Sequence, residues 1–308
     1  MFLIIVGMFL LYVGAESLVR GSSRLAAYFG IPPLVIGLTI VAFGTSAPEL
    51  TVSISAALKG ASDVAVGNVI GSNIFNIAVI LGITAMIRPP SVHLDLIRRE
   101  IPFLILVTVL GGGLILFGEI SRTTGILLFL GLCVYTVISI RNGKNQPVDP
   151  TELPPTSTDS RVWLHGILIV AGLGVLVLGS QMFVSGAVTI ARDYGLSEAV
   201  IGLTIVAAGT SLPELATSVV AAIRKESDVA IGNIVGSNLF NILCILGLTA
   251  TVKPIQINGI GITDAAIMLG LALLLLPFAF TQRSISRLEG GVFLSLYGAY
   301  LYLLWPTS

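Results

Sequence analysis

The chain has 308 residues, of which 55% are hydrophobic and only 10% charged, and its formal net charge is zero. A soluble domain carries about 25% charged residues, so the composition excludes an ordinary soluble protein, and the absence of a basic surplus removes the electrostatic footing for nucleic-acid binding. Cys133 and Cys244 stand far apart inside apolar runs, which excludes a disulfide framework or a CxxC site, and both are expected to be packing residues.

Met1 leads straight into apolar sequence with no basic stretch and no small-residue cleavage site, so the first segment is expected to stay as a helix and not be removed as a signal peptide. Charges and prolines then punctuate the chain into apolar spans near 2–19, 33–58, 64–87, 97–117 and 123–140. A polar stretch from Arg141 to Arg161, with Pro147, Pro150, Pro154 and Pro155, is the one segment resembling a linker. Five more spans follow near 162–190, 199–223, 229–252, 262–280 and 289–305. Each is long enough for a hydrocarbon core that needs about 20 helical residues, and helix is the expected form because an unpaired backbone costs too much in lipid. With the N-terminus outside, the inner loops hold twelve Lys and Arg residues and the outer loops four. That bias predicts a multi-pass protein of the cell membrane with both termini outside and the 141–161 linker in the cytoplasm.

Residues 37–82 and 202–247 are identical at 30 of 46 positions without a gap, at an offset of 165. Internal repetition at this level identifies a duplicated unit, here 1–140 and 162–308. The offset covers five spans, and an odd number makes the second copy enter from the opposite side. The predicted fold is therefore an all-α membrane protein of ten transmembrane helices in two inverted five-helix repeats, an arrangement typical of transporters. A duplication retained for structure alone would need only apolar and small residues to stay alike, whereas here polar residues at mid-membrane depth match as well.

In Gly44-Thr45-Ser46-Ala47-Pro48-Glu49, Pro48 has no N–H and disfavours a helical Ala47, so the helix should break at the centre of the repeat and free carbonyls around Ala42 to Thr45. Gly209, Thr210, Ser211, Pro213 and Glu214 repeat the pattern. A carboxylate at this depth costs about 2.5–3.5 kcal/mol on insertion scales, and no Lys or Arg lies at comparable depth in any span. A bound cation neutralises Glu49 and Glu214 in a way that their neutral oxygen neighbours support; a protonated packing pair is the other option. Asn76 and Asn241 fall at the midpoints of the third and eighth spans, with Ser72 and Ser237 one turn earlier on the same faces. Asn73 and Asn238 point elsewhere and either satisfy neighbouring helices or join the site. Gly67, Gly71, Gly232 and Gly236 have GxxxG spacing, which allows close helix approach. The donors are all hard oxygens, which suits Ca²⁺ better than the stricter octahedron of Mg²⁺. His93 and His165 lie at span ends, which excludes a zinc or copper site.

GTSAPE and GTSLPE, followed by GNVIGSNIFN and GNIVGSNLFN, resemble the two alpha repeats of the calcium/cation antiporter superfamily, and most closely its prokaryotic sodium/calcium exchanger branch, over the whole chain. The proton-coupled calcium exchangers share the fold but typically carry a GNxxE-type motif in place of GTSxPE. The resemblance implies exchange of Na⁺ for Ca²⁺ by alternating access, with no cofactor and no obligate protein partner. It implies that Glu49 and Glu214 ligate Ca²⁺ with help from the carbonyls of Thr45 and Thr210. Sodium would use those acids with Ala42, Ser46, Ser72, Ala207, Ser211 and Ser237, with Asn76 and Asn241 in the polar ring between. Asn in both copies argues against potassium dependence, and the short linker implies no calcium-sensor domain. The first and sixth spans would slide to switch access, and Glu16 and Gln181, matched near their inner ends, are expected to be snorkelling or gating polar groups, snorkelling being favoured. A Ca²⁺/H⁺ antiporter is the alternative. An intramembrane enzyme would need a Ser/His pair, an HExxH or a facing Asp pair in the spans, and none occurs; a passive channel does not need inverted repeats.

Overall fold

The computed structural model describes residues 1–144, 162–194, 205, 207–257 and 259–304. The helices are α1 (Phe2–Phe29), α2 (Pro33–Thr45), α3 (Ala47–Leu58), α4 (Ser62–Ile87), α5 (Leu96–Leu116), α6 (Arg122–Lys144), α7 (Val162–Asp193), α8 (Ala207–Thr210), α9 (Leu212–Ile223), α10 (Ser227–Val252), α11 (Ile262–Phe280) and α12 (Arg287–Leu304). Two short strands, β1 (Glu119–Ile120) and β2 (Ile255–Gln256), complete the described elements. Most of the linker, residues 145–161, lies outside the described residues, as do 199–204 and 206 of the seventh expected span.

Local chemistry explains the helix ends. Gly30 adopts φ 61° and its N–H reaches the carbonyls of Ala26 and Ala27, a left-handed cap that a side chain would strain. Pro33 then opens α2, where its missing N–H costs nothing. Among the described residues, seven single helices are long and apolar enough to cross a membrane, and eight if α2 and α3, bent by 45°, form one span. Short π-helical turns interrupt α2 at Gly37–Val41, α4 at Asn76–Leu81 and α10 at Asn241–Leu246. The last two stand at the same place in both copies and begin on the asparagines expected in the site, in keeping with the tendency of π-bulges to mark functional positions.

Packing between the copies follows the 165-residue offset. α1 and α7 approach until backbones touch: a Cβ at Gly14 would sit 2.8 Å from the Gly172 carbonyl oxygen, and one at Gly172 would sit 2.9 Å from that of Gly14. Gly7 and Gly179 make the same kind of contact one step along, against Phe183 and Leu11. These glycines recur every seven residues in each copy, outside the 46-residue repeat recognised from sequence. Gly82 packs on Gly290, and Gly125 on Gly247, again positions related by the offset.

The strands give direction. β1 pairs antiparallel with β2, Glu119 opposite Gln256, and a separate bridge joins Ser91 to Ser284. Ser91 precedes α5 and Ser284 follows α11, whereas Glu119 follows α5 and Gln256 precedes α11. The helices therefore run in opposite directions, tied at both ends, although they occupy equivalent places in the two copies.

Two apolar clusters result. The larger joins α4, α5, α6, α10, α11 and α12; the smaller joins α1 and α7 to parts of α2, α9 and α10. The apolar window of α10 is buried throughout and that of α4 to 72%, against 28–33% for α1, α5, α6, α7 and α11. α4 and α10 are thus the centre, and the remaining helices turn large apolar side chains such as Phe9, Leu127, Val134, Trp163 and Val170 outward, a surface suited to lipid.

Several expectations are corrected. Cys244 is buried, but Cys133 is exposed on the outer face of α6 and packs in no core. Glu16 does not snorkel freely: its partly exposed carboxylate is held by Arg224, at the end of α9, and by Arg20 one turn along α1, so it ties two helices together. Gln181, its repeat mate, is exposed. The GxxxG spacing permits close approach in the second copy, where Gly236 lies under the backbone of Leu38 and Gly232 under that of Leu34. The segment that would face Gly67 and Gly71 by the offset lies largely outside the described residues.

Candidate cation site

The α2–α3 break falls on Ser46 (φ −84°, ψ 6°), and the α8–α9 break on Ser211 (φ −90°, ψ 7°). Pro48 and Pro213 occupy the second position of the helices that follow, and Glu49 and Glu214 the third. Each acid thereby stands in the first turn of a helix, where the helix dipole favours negative charge. The break is narrower than expected. The Ala42 carbonyl is not freed: it accepts the Ser46 N–H at 3.0 Å and the Thr45 hydroxyl at 3.3 Å. The carbonyl that proline deprives of a partner lies two residues later, four before the proline. In the second copy this is Gly209, and the Ser180 hydroxyl of α7 donates to it at 2.6 Å. The equivalent of Ser180 in α1 is Ala15, which has no hydroxyl to give.

The two copies hold each other's acids. Ser46 donates to Glu214 Oε1 at 3.0 Å, and Ser211 donates to Glu49 Oε1 at 3.1 Å. Thr210 interacts with Glu49 and Thr45 with Glu214. The Ser72 hydroxyl lies 3.5 Å from that of Ser211. Glu49, Glu214, Asn76 and Asn241 are each 1% exposed, and Ser237 is fully buried. Ala42 is buried beside the break, and Ala207 begins α8. The asparagines are joined in two crossed pairs: Asn76 Nδ2 donates to Asn238 Oδ1 at 3.0 Å, and Asn241 Nδ2 to Asn73 Oδ1 at 2.9 Å. Asn73 and Asn238 point away from the asparagine of their own helix and bond to the neighbouring helix, one of the two roles expected of them; the partners there are the asparagines of the other copy.

Sequence reasoning missed a second layer. Asn68 Nδ2 donates to the main-chain carbonyl of Glu49 at 3.2 Å and to Ser53 at 2.9 Å. Asn233 Nδ2 does the same for Glu214 at 3.3 Å and Ser218 at 2.9 Å, while its Oδ1 accepts from Thr45. These bonds fix the turns that carry the acids. The signal was present, since Asn68 and Ser53 are identical to their mates at the 165-residue offset.

What remains unpaired defines the chemistry. Glu49 Oε2, Glu214 Oε2, Asn76 Oδ1, Asn241 Oδ1 and Ser237 Oγ are buried and have no hydrogen-bond partner. Buried polar atoms are nearly always satisfied, and each exception costs about 1–3 kcal/mol, more for a charge. Amide oxygens only accept, and so do the two acids when ionised, so in that state four of these five atoms lack a donor or a cation; a proton on each acid is the other way to satisfy them. Among the described residues no group of three or more His, Cys, Asp or Glu side chains forms a metal cluster. The set is two carboxylates with neutral oxygens, the donor chemistry of a hard cation.

The sodium/calcium exchanger protein family model matches residues 1–141 and 164–305. The chain is 40% identical over 274 residues to inner membrane protein YrbG of Escherichia coli, covering 87% of this chain and 84% of that protein. It is 31% identical to sodium/calcium exchanger MaX1 of Methanosarcina acetivorans, covering 98% and 97%. A structure of the sodium-calcium exchanger NCX_Mj soaked with 10 mM Na⁺ and zero Ca²⁺ superposes with a TM-score of 0.85 at 32% identity, covering 97% of each chain. With both copies of the repeat inside the match, this multi-pass membrane chain belongs to the sodium/calcium exchanger protein family of cation antiporters.

Proposed function

We propose that this antiporter exchanges Na⁺ for Ca²⁺ by alternating access, using Glu49, Glu214, Asn76, Asn241, Thr45, Thr210, Ser46, Ser211, Ser72, Ser237, Ala42 and Ala207. The observation that carries the reading is the set of partnerless buried oxygens on Glu49, Glu214, Asn76 and Asn241. Two carboxylates balance one Ca²⁺. They also balance two Na⁺, each beside one acid, so the two cargoes compete for the same charge. Serine hydroxyls that cross from each copy to the other's acid link the state of one half-site to the other.

The architecture is ten spans in two inverted repeats, 1–140 and 162–308, with the 141–161 linker in the cytoplasm and both termini outside. The antiparallel ties between α5 and α11 support the inversion, and the twelve-to-four distribution of positive charges supports the orientation. α1 and α7, packed on each other through glycines and joined to the smaller apolar cluster, are the pair suited to slide past the α4–α10 centre.

The test is Ca²⁺ uptake into proteoliposomes under an imposed Na⁺ gradient at clamped pH. Uptake that follows the Na⁺ gradient is the expected result. Uptake that ignores Na⁺ and follows a pH gradient would replace this reading by Ca²⁺/H⁺ exchange, with the same two acids carrying the protons.

A further inference from the structure

We infer that Asn73 and Asn238 are positioning residues that decide which end of the Asn241 and Asn76 amides faces the cation. The inference rests on the placement of Asn76 and Asn241 in the site proposed above. A side-chain amide carries an oxygen at one end and an NH₂ at the other, of nearly equal size. Only the oxygen attracts a cation. Rotation by half a turn would present two N–H groups instead, at little steric cost, so something other than shape must fix the orientation.

A main-chain carbonyl provides the fixed point. Asn73 Nδ2 donates to the carbonyl oxygen of Asn238 at 3.4 Å, with Met268 Sδ at 3.7 Å. A carbonyl can only accept, so the NH₂ of Asn73 must face it and the Asn73 oxygen must face away. That oxygen accepts from Asn241 Nδ2 at 2.9 Å. Asn241 is thereby turned with its NH₂ toward Asn73, and its Oδ1 becomes the free end. The orientation passes from backbone to Asn73 to Asn241 in two bonds. The mirror chain runs from Asn238 Oδ1 to Asn76 Nδ2 at 3.0 Å and leaves Asn76 Oδ1 free. All four side chains are 1% exposed, so bulk water does not substitute for either partner. The mirror chain is anchored less firmly, because Asn238 Nδ2 has no partner of its own.

The experiment uses a symmetric suppressor. A carboxylate is oxygen at both ends, so Asn241→Asp needs no orienting partner. Ca²⁺ binding to the purified full chain is measured by isothermal titration calorimetry in Na⁺-free buffer for the wild type, Asn73→Leu, Asn241→Asp, and Asn73→Leu with Asn241→Asp. Each sample is checked for folding by its melting transition. Wild-type binding is the control on the site itself: if the wild type binds no Ca²⁺, the proposed function falls. Given wild-type binding, Asn73→Leu is expected to weaken it at least tenfold, whereas in the Asn241→Asp background, where the added charge is common to both proteins, Asn73→Leu is expected to change binding less than threefold. Binding by Asn73→Leu within twofold of wild type would overturn the inference. So would a tenfold loss on adding Asn73→Leu to a folded Asn241→Asp protein, since a purely structural role would be lost equally in both backgrounds. Should Asn73→Leu be recovered unfolded, Asn238→Leu with and without Asn76→Asp reads the same quantity.

Discussion

Replacing one acid by its amide, Glu214→Gln, isolates charge from shape. The Gln oxygen can still accept from Ser46, which lies 3.0 Å from Glu214 Oε1, and the backbone brace from Asn233 is untouched. What changes is the balance: Ca²⁺ then meets one negative charge and leaves the buried site with a net +1. The direct attraction lost is about 14 kcal/mol for a 2+ ion at ~2.4 Å and an effective dielectric constant of ~20. Most of that is offset by the hydration the ion and the carboxylate keep when apart. Uncompensated buried charges typically cost about 3–5 kcal/mol net, which is about two to three and a half orders of magnitude in affinity. Calorimetric Ca²⁺ affinity should therefore fall by at least about a hundredfold, and Glu49→Gln should behave alike because its contacts are the mirror image. Ca²⁺ transport should be abolished in both. The cation-free protein should melt no lower than wild type, since a buried carboxylate without a counter-charge is itself costly. A Glu214→Gln protein that binds Ca²⁺ within tenfold of wild type would refute the charge-balance argument. A cation-free melting temperature that drops by many degrees would refute the claim that this acid serves the cargo and not the fold.

Ser46→Ala and Ser211→Ala each remove one charge-directed hydrogen bond, worth about 1.5–3 kcal/mol, and should weaken Ca²⁺ binding in a titration by similar factors; a large inequality would show that the two half-sites are not equivalent. Gly14→Ala places a methyl 2.8 Å from the Gly172 carbonyl oxygen, an overpacking expected to cost about 1–3 kcal/mol and read as a lower melting temperature and slower exchange. Gly174→Ala on α7 meets no described atom within 4 Å and should leave both unchanged. Glu16→Gln removes the ion pair that ties α1 to the end of α9. The pair is partly exposed, so the loss should be about 1 kcal/mol, seen in single-molecule distance measurements as an approximately fivefold population shift away from the arrangement in which these ends are clasped.

The repeat made much of the site legible. Two copies in one chain act as an internal comparison, and polar identities at mid-span single out Glu49 and Glu214, Asn76 and Asn241, and the serines beside them. Some helix limits were close, as with the ninth span, expected at 262–280 where α11 is Ile262–Phe280, but the first span was expected to end at 19 and α1 runs on to Phe29, because charges such as Arg20 mark the edge of the apolar run while the helix ends only at the left-handed Gly30. Proline chemistry located the break but misjudged its extent, because Ser46 still reaches the Ala42 carbonyl where a fully opened turn was expected. The favoured snorkelling reading of Glu16 failed for a different reason. Its partner, Arg224, is 208 residues away, and no local pattern records that distance.

The sequence by itself therefore determined which residues are equivalent, roughly where the apolar spans lie, and that two acids lie in the apolar depth with no cation of the chain's own nearby. Those properties depend on hydrophobicity, backbone chemistry and duplication, all of which act locally. Only the tertiary structure decided who meets whom. Ser46 holds Glu214 and not Glu49; Asn73 orients Asn241 and not Asn76. A duplication states that two residues play the same part, but whether each serves its own copy or the other depends on how the copies interlock, and that is set by the close glycine contacts and the antiparallel ties between them.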